Sequence, residues 1–349
     1  MTDRHDHVDT VRGPVPLDAL GPTLMHEHIL NDCRCWWRGH EPGFASPLMD
    51  AAVTPALAWQ LRADPFACLD NCALDDEAAA IGELGLFAAE GGRTVVDPTC
   101  RGIGRDPAAL VRVAEATGLN VVMGSGYYLQ SSHPPALAGM DADAIADEIV
   151  AEAEHGVDGV PIGIVGEIGV SADFTGAERR SLTGAARAAA RTGLPLMVHL
   201  PGWERLGHDV LDVAEREGVP PGAVILCHMN PSHADRDYQH ALARRGAFVE
   251  YDMIGMDFWY DDQKVQCPDD EAAATAIAAL CESGHADRIL LSQDVFLKMM
   301  LTRNGGNGYA HVPRNFLPRL ARHGLDPATL RGLMIDNPRR ALSRRIVRA

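Results

Sequence analysis

The sequence predicts an α/β protein folded as a (β/α)8 TIM barrel, with its chemistry at the C-terminal ends of the strands. Three observations predict this. Eight short apolar segments recur along the chain, separated by Ala-rich helical stretches. A chain of 349 residues is long for one sandwich but comfortable for one barrel. Neither GxGxxG nor GxxxxGK[ST] occurs, which disfavours the alternative, an open doubly wound sheet.

The candidate strands are TLMHEHIL (23–30), TVVDPT (94–99), NVVMGSGYY (120–128), IGIVGEIGV (162–170), PLMVHLP (195–201), AVILCHMN (223–230), AFVEYDMIG (247–255) and RILLSQDV (288–295). Helix signals lie between them. DDEAAAIGELGLFAAEGG ends in a Gly pair, a common helix stop. DPAALVRVAEATG offers Asp106 as N-cap and Pro107 at the first helical position. DADAIADEIVAEAEHG, TGAERRSLTGAARAAARTG and EAAATAIAALCESG repeat the pattern. Buried strands that alternate with helices read as parallel βα units. One connection breaks the rhythm: residues 31–74 form a long insertion after the first strand, either a lid or a packed cover. The whole chain, 1–349, reads as one domain with that insertion.

The formal net charge of −17 argues against nucleic acid or an anionic membrane surface as partner, because both select basic patches. No run of 18 apolar residues is present, so no membrane-spanning helix is expected. The leader MTDRHDHVDTVRGPVP lacks an apolar core and does not read as a secretory signal; His5 and His7 are expected to be disordered within it. The eight cysteines are scattered without a CxxC pair and read as reduced thiols of a cytoplasmic protein.

Several polar residues interrupt apolar runs near their downstream ends. His26 and His28 share one face of an extended segment, and Glu27 points the other way in a structural role. Glu167, His199, His228 and Asp294 interrupt the fourth, fifth, sixth and eighth candidate strands. Burying one unpaired carboxylate costs several kcal/mol. Burying several is reasonable when they converge on cations. Four imidazoles and two carboxylates in one barrel mouth suit two divalent ions: zinc first, with manganese, cobalt or iron(II) also compatible.

The order HxH, GEIGVS, LMVHLPG, CHMN, YDMIG, LSQD and GGNGY resembles the phosphotriesterase family of the amidohydrolase superfamily, in its phosphotriesterase-related, resiniferatoxin-binding-like branch. The likeness spans nearly the whole chain. It implies that His26, His28 and Asp294 hold the more buried metal, that His199 and His228 hold the more exposed one, and that Glu167 bridges them. The best-known family members place a carboxylated lysine at the bridge; glutamate there removes the need for carbon dioxide and argues against efficient organophosphate hydrolysis. The resemblance also leaves a homodimer open as the assembly.

The mechanism expected from these residues is attack by a hydroxide shared between two metals on a carboxylic ester, lactone or amide. Asp294 is the catalytic residue that accepts the proton. Phosphoester or phosphotriester hydrolysis, and small-molecule binding without chemistry, are the alternatives. Tyr127 or Tyr128 is a candidate donor to the substrate oxygen. Lys298 and Arg101 are candidate partners for an anionic substrate group, and Trp36, Trp37, Trp259 and Tyr260 are candidate pocket walls.

Overall fold

The computed structural model describes residues 6–344; His5 lies outside them. Eight strands form one sheet, β1 (Thr23–Leu24), β2 (Thr94–Asp97), β3 (Asn120–Ser125), β4 (Ile164–Gly169), β5 (Leu196–His199), β6 (Val224–Leu226), β7 (Phe248–Tyr251) and β8 (Ile289–Leu291), each paired in parallel with its sequence neighbour. Each falls inside one of the eight segments read from the sequence. The two ends of the sheet meet through Met25 N–H donating to Leu291, Asp294 N–H to His26, and His28 N–H to Val295. The sheet is thereby nearly closed into the expected barrel.

Period-2 alternation divides the strand side chains into two sets. Val95, Val121, Val165, Leu196, Val224, Val249 and Ile289 pack outward in the large helix-facing core. Val96, Val122, Ile164, Met197, Ile225, Phe248 and Leu290 form a separate inner cluster that fills the lower barrel. Continuing upward in the same parity, the interior turns polar. His199 follows Met197, Cys227 follows Ile225, Glu250 and Asp252 follow Phe248, and Ser292 and Asp294 follow Leu290. The barrel is thus an apolar floor beneath a polar chamber.

The floor is sealed from below by both ends of the described chain. Val8, Leu20, Ala341 and Leu342 join the inner cluster. Val8 lies in a hairpin that pairs His7–Thr10 with Gly13–Pro16, so the expectation of a disordered leader fails at His7. The alternation of Val8 and Thr10 inward with His7 and Asp9 less buried gives that short strand an apolar edge to dock.

The helices read from the sequence are α1 (Glu77–Ala89), α2 (Pro107–Thr117), α3 (Ala142–His155), α4 (Gly176–Thr192) and, further on, α7 (Asp270–Leu280); α5 (Gly207–Arg216) and α6 (Arg236–Arg245) complete the series between them. Asp106 caps α2 by accepting from Ala109 N–H, and Gly118 ends it at φ 73°. Thr175 and Glu178 form a capping box at α4. Glu178 also accepts from Gln130 N–H and from the backbone and hydroxyl of Ser171, pinning the loops after β3 and β4 to one carboxylate. Burial opposes charge on that carboxylate, but these donors outweigh it and hold the group below its ordinary range. The 31–74 segment is closed at its base by antiparallel pairing of Asn31–Asp32 with Ala73–Leu74. All eight cysteines are free, and among the described residues no helix is long and apolar enough to cross a membrane.

Candidate metal centre

Six side chains from five strand ends meet at the top of the barrel. His26 and His28 lie just beyond β1, Glu167 within β4, His199 at the end of β5, His228 two residues past β6 and Asp294 three residues past β8. β1 is shorter than the segment read as strand, yet both imidazoles face the chamber. Glu27 turns away as expected and accepts from Ser292 Oγ, Gln293 N–H and Val295 N–H, which shapes the loop that carries Asp294.

His228 and Asp294 adopt left-handed backbone at φ 57° and 49°. Such conformations are uncommon for residues other than Gly and cost on the order of 1–3 kcal/mol. They turn both side chains across the mouth. His228 is held there because its N–H donates to both Asp252 oxygens at 3.0 and 2.9 Å.

The donor atoms fall into two groups that share Glu167. On one side, His26 Nε2 lies 3.6 Å from Glu167 Oε2 and 3.6 Å from Asp294 Oδ1, while His28 Nε2 lies 3.8 and 3.4 Å from the same two oxygens. A tetrahedral site with metal–donor bonds of about 2.1 Å has edges of about 3.4 Å. On the other side, His199 Nδ1 and His228 Nε2 approach Glu167 Oε1 at 2.9 and 3.1 Å and each other at 2.7 Å. His26 Nε2 and Asp294 Oδ1 are buried without any hydrogen-bond partner, although buried polar atoms are ordinarily satisfied. The residues present therefore fit divalent cations.

Electrostatics point the same way. Burial disfavours an ionised Glu167, yet His26, His199 and His228 hold its carboxyl well below the usual range. Burial likewise disfavours a charged His228, but Asp252 raises its pKa. Burial opposes charge on Asp252 too, yet His228 and His26 hold it below the usual carboxylate range, so Glu167 and Asp252 both favour positive charge at this point.

Sequence reasoning passed over the residues beneath the cluster. Asp252 bonds His228 Nδ1 at 3.0 Å and approaches His26 Nδ1 at 3.3 Å. Thr99 Oγ1 bonds His28 Nδ1 at 2.7 Å, and Asp97 accepts from Thr99 N–H and Ile29 N–H. The inner nitrogens of His228 and His28 are hydrogen-bonded, so their outer ones are aimed at the centre. The signal was present: in AFVEYDMIG, Glu250 and Asp252 interrupt an apolar strand at period 2, just as the histidines interrupt theirs.

A cavity of about 290 Å³ opens above the cluster, and His28, Glu167, His199, His228 and Asp294 reach its base. Tyr128 lines it and packs edge-on to His199 at 4.8 Å between ring centroids. Trp36 and Tyr260 also line it, with Trp203, Phe66 and Phe296; Trp37 and Trp259 do not. Three expected substrate contacts are not brought to this cavity. Tyr127 donates instead to Glu148. Arg101 is paired with Glu148 and Glu152, and Lys298 with Asp70 and Asp75, so both cations are neutralised away from the chamber. The Gly-rich turn at 305–308 borders a separate small cleft, while Tyr309 donates from its hydroxyl to the His28 carbonyl.

A parallel eight-stranded barrel with this His and carboxylate cluster at its mouth defines a class, and the phosphotriesterase family model matches residues 6–342: the chain belongs to the phosphotriesterase family. Among solved structures it is similar to a resiniferatoxin-binding protein from Rhodobacter sphaeroides, with 60% identity, a TM-score of 0.95 and 97% of this chain matched to 96% of that one. It is also similar to the phosphotriesterase homology protein of Escherichia coli, which was solved with phosphate in its active site: 27% identity, TM-score 0.76, 93% of this chain and 99% of that one. Among curated relatives, the N-acetyltaurine hydrolase of Tetraodon nigroviridis is 31% identical over 354 residues, which cover 98% of this chain and 99% of the relative.

Proposed function

We propose that this phosphotriesterase-family hydrolase uses two divalent cations to cleave a carboxylic ester, lactone or amide. The observation that carries the reading is the shared carboxylate: Glu167 presents one oxygen to His26 and His28 and the other to His199 and His228. In this reading His26, His28 and Asp294 would hold one ion and His199 and His228 the second, with Glu167 contributing to both. Zinc suits the donor set, as do manganese, cobalt and iron(II). Bound cations of this kind lower the pKa of a coordinated water and polarise the substrate carbonyl.

The chain's own groups do the rest. Asp294 borders both the cluster and the cavity, so its carboxylate is placed to take the proton from the attacking water and deliver it to the leaving atom. Tyr128, packed on His199 at the cavity wall, orients the substrate at that face. Asp252 fixes the imidazole of His228 and lies beside that of His26. Replacing Asp252 with Asn is expected to weaken metal affinity about 10–100-fold while the barrel stays folded. Competition against a chromogenic chelator, with circular dichroism as the fold control, measures this; unchanged affinity would remove Asp252 from the supporting role.

The relatives named N-acetyltaurine hydrolase act on an amide, which favours the carboxyl reading. The phosphate in the Escherichia coli relative favours a phosphoester as the second reading. A panel of lactones, N-acyl amines, carboxylic esters and aryl phosphotriesters, assayed with metal-loaded protein, decides between them. Turnover confined to carboxyl substrates is the expected result. Turnover of phosphotriesters alone overturns it, and no turnover at all with full metal content leaves a binding protein.

A further inference from the structure

We infer that the substrate's leaving or acyl group is uncharged and apolar, and that the cavity discriminates against anionic substrates. The inference rests on the hydrolase reading above and adds the chemical class to it. Its basis is the composition of the wall. Trp36, Phe66, Trp203, Tyr260 and Phe296 come from four separate loops, yet their rings form one connected surface. Trp36 stacks on Phe66 at 5.7 Å, Phe66 on Tyr260 at 5.3 Å, and Trp203 meets Tyr260 edge-on at 5.8 Å. Phe296 approaches Phe66 at 6.4 Å. Ile103, Leu129, Leu200 and Met253 extend the apolar lining.

No lysine or arginine lines this cavity among the described residues. Four basic groups of the surrounding loops are held by acids. Arg38 pairs with Asp64 and Asp261, Lys264 with Asp261, and Arg101 and Lys298 are engaged as described. The one charged group that lines the cavity away from the cluster is a carboxylate, Asp173, exposed in the loop after β4. A substrate whose remote end carries a sulfonate, phosphate or carboxylate would meet aromatic rings and a like charge. An uncharged aryl or alkyl group would instead lose water against a ready apolar surface. Two of the rings, Trp36 and Phe66, belong to the 31–74 segment, so this segment carries much of the selection.

The test uses metal-loaded protein and two matched amides: N-acetyl-2-phenylethylamine, which is neutral, and N-acetyltaurine, which carries a sulfonate. Hydrolysis and calorimetric binding are both measured. The neutral amide is expected to show kcat/KM at least ~10-fold higher and the tighter binding. Asp173→Lys, an exposed change, is expected to narrow that gap by ~10-fold through improved handling of the sulfonate. Trp36→Ala is expected to raise KM for the neutral amide ~10-fold. Equal or better turnover of the sulfonate, or preference for the cationic N-acetylputrescine over both, overturns the inference. If neither amide is hydrolysed, the amide form of the hydrolase reading fails, and calorimetry still decides the cavity. Tighter binding of the neutral amide supports the inference; equal or tighter sulfonate binding, or no binding of either, overturns it.

Discussion

Stripping the purified protein of divalent cations is expected to abolish hydrolysis and to lower the melting temperature by ~5 °C. The polar chamber explains both effects. Glu167, Asp252 and Asp294 stand within a few ångströms of four imidazoles, and His26 Nε2 and Asp294 Oδ1 have no hydrogen-bond partner. Cations that satisfy these atoms bind the folded chain and not the unfolded one, so at 100-fold excess over the dissociation constant they add about 2.7 kcal/mol. Chelator dialysis followed by titration with zinc, manganese, cobalt or iron(II) measures activity and melting together. Restoration at two equivalents per chain is the expected endpoint. Full activity in a metal-free chain would end the metal-dependent reading, and saturation at one equivalent would end the two-ion form of it.

Replacing Asp294 with Asn is expected to reduce kcat about 10³-fold while most of the metal remains bound. Asn keeps the shape and one oxygen donor but cannot accept a proton. Asp294 is suited to that transfer by position. Its Oδ1 faces His26 and His28, its Oδ2 lies 3.9 Å from His228 Nδ1, and the side chain borders the cavity. Glu167 borders the cavity too, but both of its oxygens are committed between histidine pairs. Steady-state kinetics and metal analysis on the same preparation separate lost proton transfer from lost metal. Turnover within fivefold of the parent protein, with metal retained, would exclude the proton role.

Much of this architecture was legible in the sequence because barrel strands are buried on both faces. Such strands appear as short apolar runs, and any polar residue inside one stands out. That contrast located all eight strands and the six clustered side chains. It failed where polarity had a second explanation. Glu250 and Asp252 were passed over although they follow Phe248 in the inward parity. Parity would also have separated the adjacent tyrosines: counting by twos from inward Val122 reaches Tyr128, which lines the cavity, and leaves Tyr127 to pair with Glu148. Arg101 and Lys298 were unreadable for a different reason. Their acidic partners are distant in sequence, and only the folded chain shows that both charges are spent. The hairpin at 7–16 was hidden by its mixed composition: Val8 and Val15 dock it on the inner cluster and Val11 on the outer core, but no apolar run marks it.

The apolar floor has a practical corollary. Val8 and Leu342 insert into the barrel base, on the side opposite the aromatic mouth. Attachment to a solid support through either neighbouring stretch would turn the entrance toward the bulk liquid, so a tethered preparation should accept reactants as freely as a dissolved one.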